Sequence, residues 1–282
     1  MKIKMHTIVL IVLCVIGLSL LLYPTVSNYW NSRHATRVIS HYAERVENMD
    51  REEFCEQWER AVAYNGELAL RSNSFFLSDE LKERYWSLLD VGGDGIMGYI
   101  EIEKLGVALP IYHGTDDAVL QNAIGHLEWS SLPVGGEGSH CVVSGHRGLP
   151  NRKLFTDLDE LRAGDRFVFH VLGQILTYEV DRIATVLPAE TEDLRSSAGK
   201  DYCTLVTCTP YGINTHRLLV RGHRVENDVK SVSVVAEAIE VDPFVVAPIL
   251  AFPLLLALFL MVMLKKPERR ISINEEVPIY EE

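Results

Sequence analysis

The chain lacks the sequence features of nucleic-acid-binding, metal-binding and disulfide-rich proteins. Basic residues are outnumbered, 27 Lys and Arg against 39 Asp and Glu, and the formal net charge is −12. Because phosphate binding needs a basic surface, this balance argues against a nucleic acid partner. The cysteines number five, and their spacing resembles neither a set of metal ligands nor a dense disulfide framework. No internal repeat and no low-complexity segment is present.

Two long apolar runs lie near the ends of the chain, at residues 7–23 and 244–264. Both are long enough for a transmembrane helix, and no signal-peptide cleavage site follows the first, which argues against its removal. Basic residues flank both runs on their outer sides (Lys2 and Lys4; Lys265, Lys266, Arg269 and Arg270). The positive-inside rule then predicts cytoplasmic segments at 1–6 and 265–282 and a two-pass membrane protein with residues 24–243 on the extracellular face. Unpaired thiols in an exported domain fit a Gram-positive envelope.

The region between the two runs changes its periodicity near residue 93. Residues 31–63 carry apolar side chains at helical spacing, and a short helix is expected around Asp79–Leu89. From Gly95 onward the period is two, with many short strands between turn residues, which indicates a mainly β barrel rather than an α/β sheet. We therefore predict a helical region with a candidate lid at 24–92, a β-barrel at 93–225 and a tether at 226–243.

Cys208 ends a predicted strand that begins at Tyr202, directly before a loop that contains proline and glycine. Alternation along the strand places Cys208 on the face opposite to Cys203. A thiol at a strand end can meet solvent, whereas Cys141, which two valines follow inside a strand, is expected to be structural. Cys208 is therefore the candidate nucleophile.

Two further residues are candidates for the same site: His146 could carry the proton, and Arg217 could stabilise negative charge on a carbonyl oxygen. His146 lies between two glycines, Gly145 and Gly148, and rival histidines stand at positions 126, 140, 216 and 223. Arg217 follows Cys208 by nine residues across a loop, so antiparallel pairing of the two strands would place them side by side. A guanidinium is always charged and offers several donors, which suits an oxyanion, although a plain surface charge is the ordinary alternative.

The ordered set of His146, Cys208 and Arg217 and the short motifs around it resemble the sortases, and within them the pilus-assembling class C type. The resemblance covers roughly residues 93–225. It rests on residues 93–102 (GDGIMGYIEI), 109–115 (LPIYHGT), 125–127 (GHL), 131–136 (SLPVGG), 144–150 (SGHRGLP) and 204–217. The TLVTC element with the trailing NTHRLLV is its most specific part.

The resemblance implies a closed β-barrel of about eight strands, a catalytic triad of His146, Cys208 and Arg217, and no metal or organic cofactor. Ser144, Thr207 and Thr209 are the substrate-binding residues expected beside that triad. The implied partner is a pilin or surface protein with an LPxTG-like sorting signal. Cys208 would attack the Thr carbonyl to form a thioacyl enzyme, which an acceptor Lys of the next pilin subunit would resolve as an isopeptide bond.

The chain departs from class C sortases in the segment before the barrel. Those sortases usually carry a lid with an Asp-Pro-aromatic motif, and residues 64–92 contain no such triplet. The candidates for an aromatic plug and its acid are Phe75, Phe76, Tyr85 and Asp79, and the alternative is a degenerate lid over a more open site. Trp129 also stands where a small residue is expected.

Two other functions stay open at this level. One is a sortase that anchors surface proteins to peptidoglycan, although a second membrane span at the C-terminal end favours pilus assembly. The other is a catalytically silent scaffold for pilus assembly, against which the intact triad argues. An L,D-transpeptidase is excluded, because its His and Cys lie together in one motif while His146 and Cys208 lie far apart in this chain.

Overall fold

The computed structural model describes residues 5–71 and 75–227 and the single residue Leu256. Its first elements are three helices: α1, Met5–Glu47; α2, Arg51–Leu70; and α3, Asp79–Ser87. The helical structure predicted over residues 31–63 is confirmed, but it belongs to two helices, because the helical path breaks before α2. Asp50 explains the break, since its side chain accepts a hydrogen bond from the Glu53 N–H at 2.8 Å and caps α2.

Eight strands form a closed barrel in the order β1-β2-β3-β4-β7-β8-β6-β5, which confirms the predicted fold class. The strands are β1, Ile96–Ile102; β2, Val107–His113; β3, Ile124–His126; β4, Ser139–Ser144; β5, Arg166–Val171; β6, Gln174–Val186; β7, Asp201–Thr209; and β8, His216–Val225. The β2–β3 and β4–β7 pairs are parallel, and the other neighbours are antiparallel. Short helical segments lie between strands: α4, Asp117–Leu120, and 3-10 turns at Glu103–Leu105, Leu158–Glu160 and Glu192–Leu194.

Strand β7 supplies side chains to two separate apolar clusters. Cys203 and Leu205 are fully buried in the main core of the barrel. Val206 belongs to a second cluster, called here the outer apolar cluster, which consists of Val142, Leu194, Val206 and Leu219. Because side chains alternate along a strand, Cys208 shares the face of Val206. The predicted separation of Cys203 from Cys208 by strand face is therefore confirmed.

The first two helices are fastened to the barrel through buried polar side chains. The Tyr42 hydroxyl of α1 donates to the Met97 carbonyl at 3.0 Å and accepts the Leu172 N–H at 2.8 Å. The Asn65 amide of α2 exchanges two hydrogen bonds with the backbone of Leu132, at 2.7 and 2.9 Å. These bonds satisfy backbone groups that would otherwise be buried without a partner, so they fix both helices against the barrel.

Within the residues that the structure describes, no helix combines the length and apolar character needed to cross a bilayer. The predicted span 7–23 falls within α1. The tether 226–243, the predicted span 244–264 and the tail 265–282 lie outside the described residues, apart from Glu226, Asn227 and Leu256. The membrane topology therefore stays a prediction.

Candidate active site

Cys208 and Arg217 lie opposite each other on neighbouring strands. In the antiparallel β7–β8 pair, Cys208 is in register with Arg217 and Thr209 with His216. Paired residues in such a ladder have Cα atoms about 4.5–5.5 Å apart. The prediction that a nine-residue offset across the loop brings Arg217 beside Cys208 is therefore confirmed for the backbone.

Arg217 is held by the backbone at the start of β8. Its Nη1 donates to the carbonyl oxygens of Asn214, at 3.2 Å, and His216, at 3.0 Å. Both partners are neutral, so they orient the guanidinium without cancelling its charge. An oriented cation beside a thiol is suited to stabilise negative charge on the oxygen of an attacked carbonyl.

His146 is brought to the same place by the parallel pairing of β4 with β7. Ser139 pairs with Asp201 and Ser144 with Val206, and the Gly145 N–H continues the ladder to the Val206 carbonyl at 3.1 Å. The same register, carried two residues beyond Ser144, brings His146 level with Cys208. His146, in the loop directly after β4, therefore lies at the same end of the three neighbouring strands β4, β7 and β8 as Cys208 and Arg217. Cys208 and His146 are both partly exposed there.

The loop that carries His146 is closed on itself and fixed to β7. The Phe155 N–H donates to the His146 carbonyl at 3.1 Å, and the Gly148 N–H donates to the Thr156 hydroxyl at 3.2 Å. The Thr207 hydroxyl donates to the Gly145 carbonyl at 2.8 Å. Thr207 stands one residue before Cys208 and Gly145 one residue before His146, so this bond ties the two candidate catalytic residues together.

The three residues predicted to bind substrate occupy different environments. Thr207 is 1% exposed, so its hydroxyl serves the Gly145 carbonyl rather than a ligand. Ser144 and Thr209 are partly exposed beside His146 and Cys208. The Thr209 hydroxyl is 3.5 Å from Nη1 of Arg147. Ser144 and Thr209 remain candidates for substrate contact.

The other cysteines are poorly placed for nucleophilic attack. Cys141 and Cys203 pair across β4 and β7 and are both buried. Burial raises the pKa of the Cys203 thiol, which keeps it protonated and unreactive. Cys55 is exposed on α2, far along the chain from the motifs around the triad, and Cys14 lies in the predicted membrane span. The prediction that Cys141 is structural agrees with its place in the core.

Two of the rival histidines are buried and hydrogen-bonded. His126 contacts the Tyr85 hydroxyl through Nδ1 at 3.1 Å and the Ser131 carbonyl through Nε2 at 2.9 Å. His140 contacts the Arg195 carbonyl at 3.0 Å and the Thr204 hydroxyl at 2.7 Å. Burial lowers the pKa of His140 to about 4, so its imidazole is neutral at neutral pH. Both rings hold structure rather than reach solvent.

The four candidate lid residues are dispersed. Tyr85 is fully buried, and its hydroxyl accepts the Gly114 N–H at 2.9 Å, so it is a core residue and not a plug. Asp79 lies in the exposed first turn of α3, and Phe76 is 83% exposed. Phe75 packs edge-to-face on Trp129, with ring centroids 4.7 Å apart. Trp129 in turn packs against the outer apolar cluster.

Two features of this region have no counterpart in the sequence predictions. One is the outer apolar cluster, whose only sequence signal is the apolar Val206 two residues before Cys208 on the same strand face. The other is Arg147, a nearly buried residue of the His146 loop whose guanidinium reaches Thr209, directly after Cys208. Among residues 5–71 and 75–227, no cluster of three or more His, Cys, Asp or Glu side chains is arranged to hold a metal ion.

Comparisons with a family model and with solved structures point to the same protein family. A model of the sortase domain matches residues 100–225. Sortase C1 from Streptococcus agalactiae is 49% identical with a TM-score of 0.67, covering 68% of this chain and 100% of that chain. Sortase C from Streptococcus pneumoniae is 42% identical with a TM-score of 0.60, covering 68% of this chain and 97% of that chain.

A curated relative, sortase D of Bacillus subtilis (strain 168), is 31% identical over 131 residues, which are 45% of this chain. The chain spans 63% of the length of that relative. The barrel, the strand-end position of Cys208 beside Arg217, and the identity to two solved class C enzymes all agree. The chain belongs to the sortases, a family of cysteine transpeptidases.

Proposed function

We propose that this sortase cleaves an LPxTG-like sorting signal between Thr and Gly and joins the Thr carboxyl group to a Lys amine of a pilin subunit. The observation that supports it best is the meeting of Cys208, Arg217 and the His146 loop at one end of β4, β7 and β8. The similar sortase C of Streptococcus pneumoniae has pilin substrate specificity, which supports the substrate class.

In the first half-reaction the Cys208 sulfur bonds to the Thr carbonyl carbon. The C–N bond to Gly breaks, and His146 protonates the departing amine. Arg217 donates to the carbonyl oxygen while it carries negative charge, and the product is a thioacyl enzyme. In the second half-reaction the Lys amine attacks the thioester, its proton passes to His146, and the C–S bond breaks. An isopeptide bond forms and the Cys208 sulfur is regenerated.

The test of the first half-reaction is intact-protein mass spectrometry of the full chain in detergent after incubation with an LPxTG peptide. We expect a mass increase equal to the acyl fragment in the wild type and none in Cys208→Ala. Cys55→Ala is the matched control, because Cys55 is an exposed thiol on α2, outside the candidate site. An adduct that survives Cys208→Ala, or that is lost in Cys55→Ala, would overturn the assignment.

The acceptor is tested by competition between two amines offered to the thioacyl enzyme, a Lys side chain in a pilin-derived peptide and the amine of a peptidoglycan stem peptide. We expect the Lys peptide to be joined faster. Preferential use of the stem peptide would support the anchoring function instead. A wild type that never forms the adduct would support either the silent scaffold or a lid that occludes the site.

We further propose that the apolar runs 7–23 and 244–264 anchor the enzyme in the cell membrane with its barrel on the extracellular face. The support is the apolar content of the two runs and the basic residues on their outer sides. Protease treatment of intact cells should digest residues 24–243 and leave the two terminal segments protected. Protection of the barrel under those conditions would exclude this topology.

A further inference from the structure

Arg147 is a nearly buried cation directly beside the candidate catalytic His146. Its side chain is 10% exposed, and its Nη2 forms an ion pair with Oδ2 of Asp159 at 2.7 Å. A guanidinium is rarely withdrawn from water unless it is paired, and its partner Asp159 is half exposed. The buried Nε of Arg147 has no hydrogen-bond partner within the described residues. Burying this guanidinium with an unsatisfied Nε costs free energy of folding, which indicates that the side chain has a role other than stabilising the fold.

The same guanidinium also reaches the residues that follow Cys208. Its Nη1 is 3.5 Å from the Thr209 hydroxyl, and its central carbon is 5.8 Å from the centre of the Tyr211 ring. That second distance is within the range of a cation–π interaction. Arg147 follows His146 and Thr209 follows Cys208, so one side chain links the neighbours of both candidate catalytic residues.

The Tyr211 ring completes the link from the other side. It lies against the backbone of Gly148, where a Cβ atom would stand 3.0 Å from the ring. Gly148 has a φ of 78°, a conformation that glycine adopts without strain. The loop after β7 therefore packs directly on the His146 loop, with the Arg147 guanidinium beside the contact. Asp159, from the 3-10 turn Leu158–Glu160, holds the other end of that guanidinium.

We propose that Arg147 is a positioning residue that sets the distance between His146 and Cys208, an inference that rests on the proposed function. The backbone bond from Thr207 to Gly145 joins the strand ends, but it lies before both catalytic residues. Arg147 joins the two loops after them. Without it, the His146 loop and the β7–β8 loop are held together less tightly at the point where the proton must pass. A misplacement of about 1 Å at such a point costs about 100-fold in rate.

The test is steady-state kinetics of full-length Arg147→Ala and Arg147→Lys in detergent with the LPxTG peptide. We expect Arg147→Ala to lower kcat by about 10- to 100-fold with KM unchanged, because the shift of the two loops acts on the step in which the proton passes between His146 and the reacting groups. Arg147→Lys should recover part of kcat, since it keeps the Asp159 pair but not the planar fork. Arg84→Ala is the matched control, because Arg84 pairs with Glu67 at 2.7 Å and lies 5.6 Å from the Tyr64 ring, in the helical region. It should leave kcat unchanged.

Tyr211→Ala provides a second variant at a residue that is 59% exposed, so its folding is not in question. We expect it also to lower kcat, and the double variant with Arg147→Ala to be no slower than Arg147→Ala alone, because both act through one link. An unchanged kcat in Arg147→Ala, a change in KM alone, or strictly additive losses would overturn the proposal.

A substrate-free measurement separates this proposal from the proposed function. Iodoacetamide alkylates Cys208 whether or not a sorting signal is recognised. We expect the alkylation rate in Arg147→Ala to move to that of His146→Ala, because the imidazole no longer sits beside the thiol. A wild type that forms no thioacyl adduct would defeat the proposed function. An Arg147→Ala alkylation rate equal to the wild-type rate would defeat the positioning role.

Discussion

Cys208 and Arg217 are register partners in the antiparallel β7–β8 pair, so the backbone ladder itself places the two residues side by side. Neither side chain depends on a flexible loop for this proximity. Two backbone carbonyls, those of Asn214 and His216, also orient the guanidinium. A guanidinium oriented before the reaction is suited to stabilise a carbonyl oxygen that becomes negatively charged, and such preorganised donors are among the largest contributions to catalysis.

Removal of this cation should therefore act on the chemical step. We expect Arg217→Ala to lower kcat by about 100- to 1000-fold, the usual loss for one oxyanion donor. Arg221→Ala is the control, because Arg221 lies on the same strand face but is paired with Asp181 at 2.9 and 3.0 Å. The measurement is kcat with the LPxTG peptide for Arg217→Ala and Arg221→Ala. Equal losses of kcat in the two variants would show that any positive charge on this strand face matters, and would contradict a specific role for Arg217.

The buried bond from Thr207 to the Gly145 carbonyl should couple stability to activity. In Thr207→Val the Gly145 carbonyl loses its side-chain donor at a buried position, which costs about 1–3 kcal/mol in the free energy of unfolding. We also expect a lower kcat, since the loop that carries His146 is no longer tied to β7. Urea unfolding and peptide kinetics measure the two effects. Thr207→Ser keeps the hydroxyl and should restore kcat, and a Ser variant as slow as the Val variant would contradict this account.

The parts of the site that follow from local sequence were the ones open to prediction. The offset between Cys208 and Arg217 spans one loop, so antiparallel pairing and strand parity sufficed. The parallel pairing of β4 with β7 joins distant segments and has no local signal, so the tie between Gly145 and Thr207 was not foreseen. The sequence alone therefore predicts a substrate contact for Thr207, whose hydroxyl the structure shows to be buried. It offers Tyr85 as a candidate plug for the same reason, since the partners that hold it in the core, His126 and Gly114, are distant in the chain.

Helix α1 also touches the loop that carries His146. The Asn28 Oδ1 accepts the Lys153 N–H at 2.9 Å, and the Asn31 Nδ2 donates to the Asn151 carbonyl at 2.8 Å. We expect Asn28→Ala/Asn31→Ala to lower kcat several-fold while the barrel stays folded, because these bonds restrain the middle of the loop between His146 and Phe155. Asn48→Ala is the matched control, since Asn48 directly follows α1 and its amide donates to the carbonyl of Glu44, in the last turn of α1, at 2.8 Å. An equal kcat in Asn28→Ala/Asn31→Ala and Asn48→Ala would show that the contacts of α1 with the His146 loop do not affect activity.

The contact between Phe75 and Trp129 bears on the question of a lid. Trp129 packs on the outer apolar cluster, which shares the strand face of Cys208, so Phe75 covers one edge of this apolar surface through Trp129. We expect Phe75→Ala to lower the KM for the LPxTG peptide with kcat unchanged, because it uncovers that surface. Phe76→Ala is the natural control, as Phe76 is 83% exposed. A KM that stays the same in Phe75→Ala would favour the more open site.

His140 makes stability depend on pH in a defined direction. Burial lowers its pKa to about 4, against about 6.5 in an unfolded chain, and its Thr204 and Arg195 partners suit the neutral ring. Between these two values the unfolded state binds more protons than the folded state. The free energy of unfolding should therefore fall as the pH falls through this window, by about 2–3 kcal/mol from this residue. Protonation in the folded state would place a charge in a site that is 2% exposed, and burial is the main cause of the lowered pKa.

The measurement is urea unfolding at pH 7.5 and pH 4.5 for the wild type, His140→Gln and His41→Gln. His140→Gln loses stability at both pH values because its hydrogen bonds change, so only the difference between the two pH values is compared. That difference should shrink in His140→Gln and stay at the wild-type value in His41→Gln, whose ring is exposed on α1. His113 is also buried with a lowered pKa, so part of the acid sensitivity should persist in His140→Gln. Equal differences in all three proteins would show that His140 does not control the acid stability of the barrel.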